Sequence, residues 1–258
     1  MTSDPTRPLI SAHFIQQELD NELEELLKPP VEDEPGNGNR TILSSIDAVA
    51  ADNGSKKTQD QWFDYWSQIK DGRIMAGMGD LYNYFKSLKQ QSERGQKAAV
   101  QTALTSLRDD FDWPGKNNWL IAGTRIIYNA NNENAKIIHH YRCNKPNLIK
   151  EIGLQIPEYL GVPIVDVSRD SRGLKYLQAL HDTNDPAETL IQTLEFVSDK
   201  KRAEIKVWTP PIQKGTSYTT RKARLEKAAG FYYGVGGFRV AGNGLDYTGC
   251  SRGVRSSS

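Results

Sequence analysis

Apolar side chains change their spacing after the loop at residues 112–115, and that change sets the kind of fold open to this chain. Between Thr58 and Asp110 they recur at helical intervals; past the loop Asp112-Trp113-Pro114-Gly115 they gather into short runs rich in Ile and aromatics. A 3.6-residue period followed by β-prone runs predicts an α+β protein: a helical subdomain over 58–112, then a mixed sheet with covering helices over 113–240. Thr58 and Gln61 are spaced as a capping box, and Trp62, Phe63, Trp66 and Ile69 make one apolar face that Gly72 can end. Ile74, Met78, Leu81, Tyr82, Phe85 and Leu88 open a new helical period, and Ala98, Ala99, Ala103, Leu104 and Leu107 a smaller third face. Aromatics at that spacing belong to a core or an interhelix seam.

In the second half, residues 119–128 and 135–141, divided by an Asn-rich turn, read as a β-hairpin. Pro146 suits the first turn of a short helix over Leu148, Ile149 and Ile152. Val162–Val167 reads as a short strand, Ser171–Leu180 and Pro186–Val197 as helices, the second capped by Asp185, and Ala203–Trp208 as another strand. Strand, two helices, strand fits a parallel crossover or an α+β layer. A short basic helix capped by Thr219 or Thr220 and ended by Gly230 is expected next, then a hairpin over Phe231–Val240 bent at its glycines. Residues 241–258 read as a flexible tail.

The two ends are charged oppositely. Residues 1–55 hold eleven acidic against three basic side chains, and residues 200–258 hold twelve basic against three acidic, although the whole chain sums to +1. Residues 1–57 read as a disordered acidic tail bearing one amphipathic helix over 11–28, capped by Ser11 and stopped by Pro29-Pro30. Phe14, Ile15, Leu19, Leu23, Leu26 and Leu27 form its apolar ridge and Glu18, Asp20, Glu22, Glu24 and Glu25 its other face, a pattern suited to docking in a protein partner's groove. Cys143 and Cys250 lie far apart, which argues against a zinc ribbon or a disulfide framework. No basic segment leads into an apolar run and no stretch approaches the ~18 apolar residues of a membrane span, so a soluble intracellular, cytoplasmic protein is expected.

The basic end carries the favoured functional reading, a non-enzymatic adaptor that holds nucleic acid or another polyanion. Lys214, Arg221, Lys222, Arg224, Lys227 and Arg239 lie beside the aromatics Phe231, Tyr232, Tyr233 and Phe238, a mixture that can neutralise phosphates and stack on bases. Arg169 and Arg172 flank a predicted strand-to-helix loop that could favour an anion, although the loop has neither phosphate-loop nor dinucleotide glycine spacing. Asp166 with Glu204-Ile205-Lys206 is the residue set of a Mg²⁺-dependent nuclease: carboxylates hold the metal and a lysine stabilises charge. It resembles the PD-(D/E)xK nucleases in those few residues, which would imply Mg²⁺ as the only cofactor. Val165 stands where that family has proline, and two helices separate the motif strands. A viral or phage structural or assembly component, its tail helix docked on a neighbouring subunit, is a third class. His139-His140 on a strand would point to opposite faces, and Cys143 or Cys250 with His181 would need a spatial coincidence to form a nucleophile pair.

Overall fold

The computed structural model describes residues 46–110, 119–129, 134–209, 224–234 and 237–255. The fold is α+β. Helix α1 (Gln59–Gln68) starts on the capping box foreseen at Thr58 and Gln61, both halves of which are made. Strand β1 (Arg73–Met75), α2 (Met78–Glu93) and α3 (Lys97–Asp110) follow. The sheet then takes in β2 (Leu120–Asn129), β3 (Asn134–His139), β4 (Lys150–Gln155) and β5 (Leu160–Pro163). Helices α4 (Ile164–Arg169), α5 (Ser171–Leu180) and α6 (Ala187–Ser198) precede β6 (Ile205–Trp208), β7 (Arg224–Gly234), β8 (Gly237–Asn243) and β9 (Gly253–Arg255).

Seven strands pair in the order β4-β3-β2-β7-β8-β6-β5, and β1 pairs with β9 in a separate ribbon. Only β6 and β8 run parallel; the other pairs are antiparallel. Alternation along the strands divides the sheet into two faces. One carries Ile126, Ile137, Phe231, Phe238, Val240, Ile205 and Val207, which join a single buried cluster with residues of α2, α3, α4, α5 and α6. On the other face, among the described residues, α1 covers the middle, where Trp62, Phe63 and Trp66 pack with Trp119, Ile121 and Ala228.

Several expectations give way. The strand expected at Val162–Val167 ends at Pro163, and Ile164–Arg169 is helical; β5 pairs antiparallel with β6, so there is no parallel crossover between them. Pro146 opens a single 3₁₀ turn (Pro146–Leu148), and Ile152 lies in β4. Asp185 does not cap α6; its carboxylate accepts from the Tyr82 hydroxyl and from Lys86 instead. The basic helix expected to reach Gly230 is strand from Arg224 onward, because that segment is inserted between β2 and β8 and the two ladders outweigh local helix propensity. Residues 241–255 do not form a loose tail: Cys250, Ser251 and Arg252 are buried, and Gly253–Arg255 pairs with β1.

Arg252 explains that anchoring. Its guanidinium donates to the Asp110 carboxylate at 2.6 Å, to the carbonyls of Asp47 and Ala48 at 3.0 and 2.7 Å, and to Ser106 Oγ at 2.8 Å. One side chain thus ties the last strand to the end of α3 and to the segment entering α1. The acidic segment with its helix over 11–28, including Phe14, Ile15, Leu19, Leu23, Leu26 and Leu27, lies outside the described residues.

Candidate functional site

On the face opposite α2–α6, the half of the sheet formed by β5, β6, β8 and β7 carries a row of flat groups. Register puts Leu160 beside Trp208, Lys206 beside Arg239, and Arg239 beside Tyr232. The Arg239 guanidinium lies over the Trp208 ring at 4.8 Å and over the Tyr232 ring at 5.1 Å, and it donates to the Tyr232 hydroxyl. Gly161 makes room for the indole. Its φ is +71°, and a Cβ there would come within 2.8 Å of the Trp208 ring. Leu160 is half exposed (51%), while Lys206, Trp208, Tyr232 and Arg239 are each intermediate between buried and exposed. None of Lys206, Trp208 and Arg239 belongs to either buried apolar cluster.

The row has a physical logic. Neighbouring strands are spaced at roughly 4.8 Å, so Lys206, Arg239 and Tyr232, in register across three strands, form a ladder at close to stacking distance, and Trp208, two residues on from Lys206, meets Arg239 diagonally. A guanidinium between two aromatic faces gains cation–π attraction from both, about 0.5–1 kcal/mol each where solvent reaches it. Lys206 and Arg239 lie side by side on adjacent strands, which places two basic side chains on this row. From this surface the chain leaves β6 at Trp208 and returns at Arg224 along a stretch whose sequence holds Lys214, Arg221 and Lys222 and no acidic residue.

Other predicted anion-binding residues are dispersed. Arg169 pairs with Asp166 at 3.0 Å, and Arg172 lies 3.9 Å from Asp170, so both face carboxylates. The loop reading there fails for a simple reason: β5 runs straight into α4, and Asp170 caps α5 with its own side chain. Lys227 sits in register with Ile126 at the margin of the helix-covered face, where burial lowers its pKa against the opposing pull of Asp246. Lys214, Arg221 and Lys222, and the side chain of Arg224, lie outside the described residues.

The nuclease set does not assemble as the motif requires. Asp166 is on a helix, and Glu204 ends a 3₁₀ turn and accepts from the Lys201 amide, so Glu204 and Lys206 do not share a strand. Among the described residues no group of three or more His, Cys, Asp or Glu is placed to hold a metal ion.

The histidines and cysteines separate likewise. His181 is fully buried between the rings of Tyr82 and Phe231 at 5.2 and 5.9 Å, and Cys250 is buried against Asp110 and Trp119 carbonyls. His139 meets Thr124 Oγ1 at 3.1 Å and the Ala179 carbonyl at 2.9 Å. His140 instead faces Asp80, with 3.4 Å between Nε2 and Oδ2, in a small hollow shared with Phe63, Trp66, Tyr141 and Cys143. His140 and Arg142 there have positive φ, +51° and +56°. Burial pushes the Cys143 thiol above its ordinary range, against the opposing pull of Lys145 and with Asp80 adding to the rise.

Sequence reasoning missed Trp208 as a site residue. The signal was present in Lys206-Val207-Trp208, since residues two apart on a strand share a face. What the sequence lacked was the neighbour: Arg239 lies 31 positions away and meets Trp208 only through the parallel pairing of β6 with β8.

No known protein family, curated protein or solved structure matches this chain.

Proposed function

We propose that this protein is a non-enzymatic nucleic-acid-binding protein that holds single-stranded nucleic acid on the half of its sheet formed by β5, β6, β8 and β7. The observation that carries this is the Trp208–Arg239–Tyr232 row on the sheet face opposite α2–α6, beside the α1 cluster against which Tyr232 packs. Bases would stack on the Trp208 and Tyr232 faces, and phosphates would pair with Lys206 and Arg239. Each stacked base can contribute about 1–3 kcal/mol with little regard to sequence, because every base has a π-face. Each neutralised phosphate releases counterions, so affinity falls steeply with salt. The basic stretch between β6 and β7 adds positive charge in sequence next to the same strands.

Fluorescence anisotropy of a labelled single-stranded oligonucleotide tests this directly. Saturable binding is expected at low salt, weakening by about tenfold or more in Trp208→Ala. Arg239→Ala is expected to weaken binding and to reduce the slope of log affinity against log salt by about one. No binding at 50 mM salt, or equal affinity in both variants, would overturn it.

A further inference from the structure

Across the molecule from that surface, β4 is a terminal strand of the sheet, and among the described residues nothing pairs with its outer edge. Beside it, between β4, α2 and α5, lies an open cleft of about 550 Å³. Its lining is mixed: Asn83, Gln178, Asp182, Thr183 and Asn184 surround an apolar patch of Ile152, Leu154 and Ala179, all partly buried, the last two packed against the core. Its rim is basic: Lys86 from α2, Lys150 from β4 and Lys175 from α5. Lys150 is paired with Asp182 and Lys86 with Asp185, while Lys175 has no ion pair among the described residues. An uncovered edge strand with half-buried Ile and Leu invites unwanted pairing, and proteins commonly cover such edges with a helix.

We infer that this cleft seats the acidic amphipathic segment of the same chain, residues 11–28, over the β4 edge. Two features of the sequence match the cleft. The apolar ridge of Phe14, Leu19, Leu23 and Leu26 suits the Ile152–Leu154–Ala179 patch, and Glu18, Asp20, Glu22, Glu24 and Glu25 suit the three lysines around it. Reach is sufficient. Residues 29–45 can span roughly 55–60 Å at ~3.3–3.6 Å per residue, against a radius of gyration of about 18 Å for a chain of this length. A tether of that kind gives an effective concentration near the millimolar range, so even a weak groove contact is populated. The attraction is between partly exposed charges and weakens as salt rises. None of these residues belongs to the proposed nucleic-acid surface, so either inference can fail alone.

Zero-length carbodiimide cross-linking of the full chain at low salt, read by mass spectrometry, is the test. Cross-links are expected from Lys86, Lys150 and Lys175 to carboxylates between Glu18 and Glu25. In a mixture of light and ¹⁵N-labelled protein they should join peptides of one isotope only. Leu19→Asp with Leu23→Asp removes the ridge but keeps every lysine. It should abolish those cross-links and speed hydrogen exchange of the β4 amides at least tenfold, whereas Trp208→Ala should change neither. Cross-links that join light to heavy protein, that scatter over unrelated lysines, or that survive the double substitution with β4 exchange unchanged would each overturn the assignment.

Discussion

Arg252 and Arg239 belong to the same basic end of the sequence, yet they do opposite things. Arg252 is 1% exposed, and its guanidinium is spent on Asp110, Ser106 and two backbone carbonyls. Arg239 lies on a sheet face, stacked between two aromatic rings. Arg202 resembles the first more than the second, since Glu188 and Glu195 grip it at 2.8 and 3.1 Å. A positive end counted along the sequence therefore adds interior fasteners to surface cations, and only the latter contribute a field that a polyanion can feel. The contrast teaches that the partner type has to be argued from exposed cations and their neighbours, not from a charge sum.

The largest expected effect lies on the Arg252 side. Arg252→Met leaves the Asp110 carboxylate buried without its cation, and burial already pushes that carboxyl up against the pull of Arg252. Breaking one partner of a buried pair typically costs about 3–5 kcal/mol. Denaturant titration should show a loss of that size, with oligonucleotide affinity per folded molecule unchanged. A loss under ~1 kcal/mol would dissolve the contrast between the two arginines.

Next in size is a pH effect in the same interior. Complete burial pushes the His181 pKa down to about 4 from an ordinary 6.5. Its folded form is therefore neutral while the unfolded chain takes up a proton between pH 6.5 and 4, so the unfolded state binds more protons in that window. Stability from this group is present in full above about pH 6.5 and is lost as pH falls toward 4, by about 3 kcal/mol. Burial lowers the His139 pKa as well, which adds to the same trend. Unfolding free energies measured from pH 7 to 4 should fall accordingly, and His181→Leu should flatten the curve. An unchanged slope in that variant would show that His181 is not the group responsible.

The sequence made local features legible and long-range ones illegible, for definite reasons. The Thr58–Gln61 capping box and the 119–141 hairpin rest on residues close in sequence, and both stand in the structure. Ile164-Val165-Asp166-Val167 reads as strand yet is helical, because a short apolar run fits a strand or a buried helix turn equally. Arg224-Leu225-Glu226-Lys227-Ala228-Ala229 is a run of good helix formers that becomes strand because β2 and β8 flank it. At the candidate site, Tyr232 and Arg239 were legible as an aromatic-basic mixture, but the third member, Trp208, comes from another strand. The Arg252–Asp110 pair spans 142 positions, and no local pattern announces it.

Smaller effects sharpen the surface side of the comparison. Gly161→Ala forces a Cβ toward the Trp208 ring at a positive φ, a strain of about 1–2 kcal/mol. It should displace the indole and weaken oligonucleotide binding severalfold while keeping every charge. Binding as tight as in the parent would mean that the indole face is not used.

The smallest expected change marks where the binding surface ends. Lys136 and Glu151 occupy the same face as Arg239 but at the far side of the sheet, on β3 and β4, where they pair at 2.5 Å with side chains 57% and 50% exposed. An exposed pair of this kind contributes about 0–0.5 kcal/mol, because water and salt screen it and two long side chains must be held still. Lys136→Ala should therefore leave unfolding midpoints nearly unmoved and oligonucleotide affinity within about twofold. If affinity fell as far as it does in Arg239→Ala, a strand of nucleic acid would have to cross the whole sheet. The relevant contrast would then run between the two faces of the sheet, with α1 standing in the path, and no longer between a buried and a half-buried arginine.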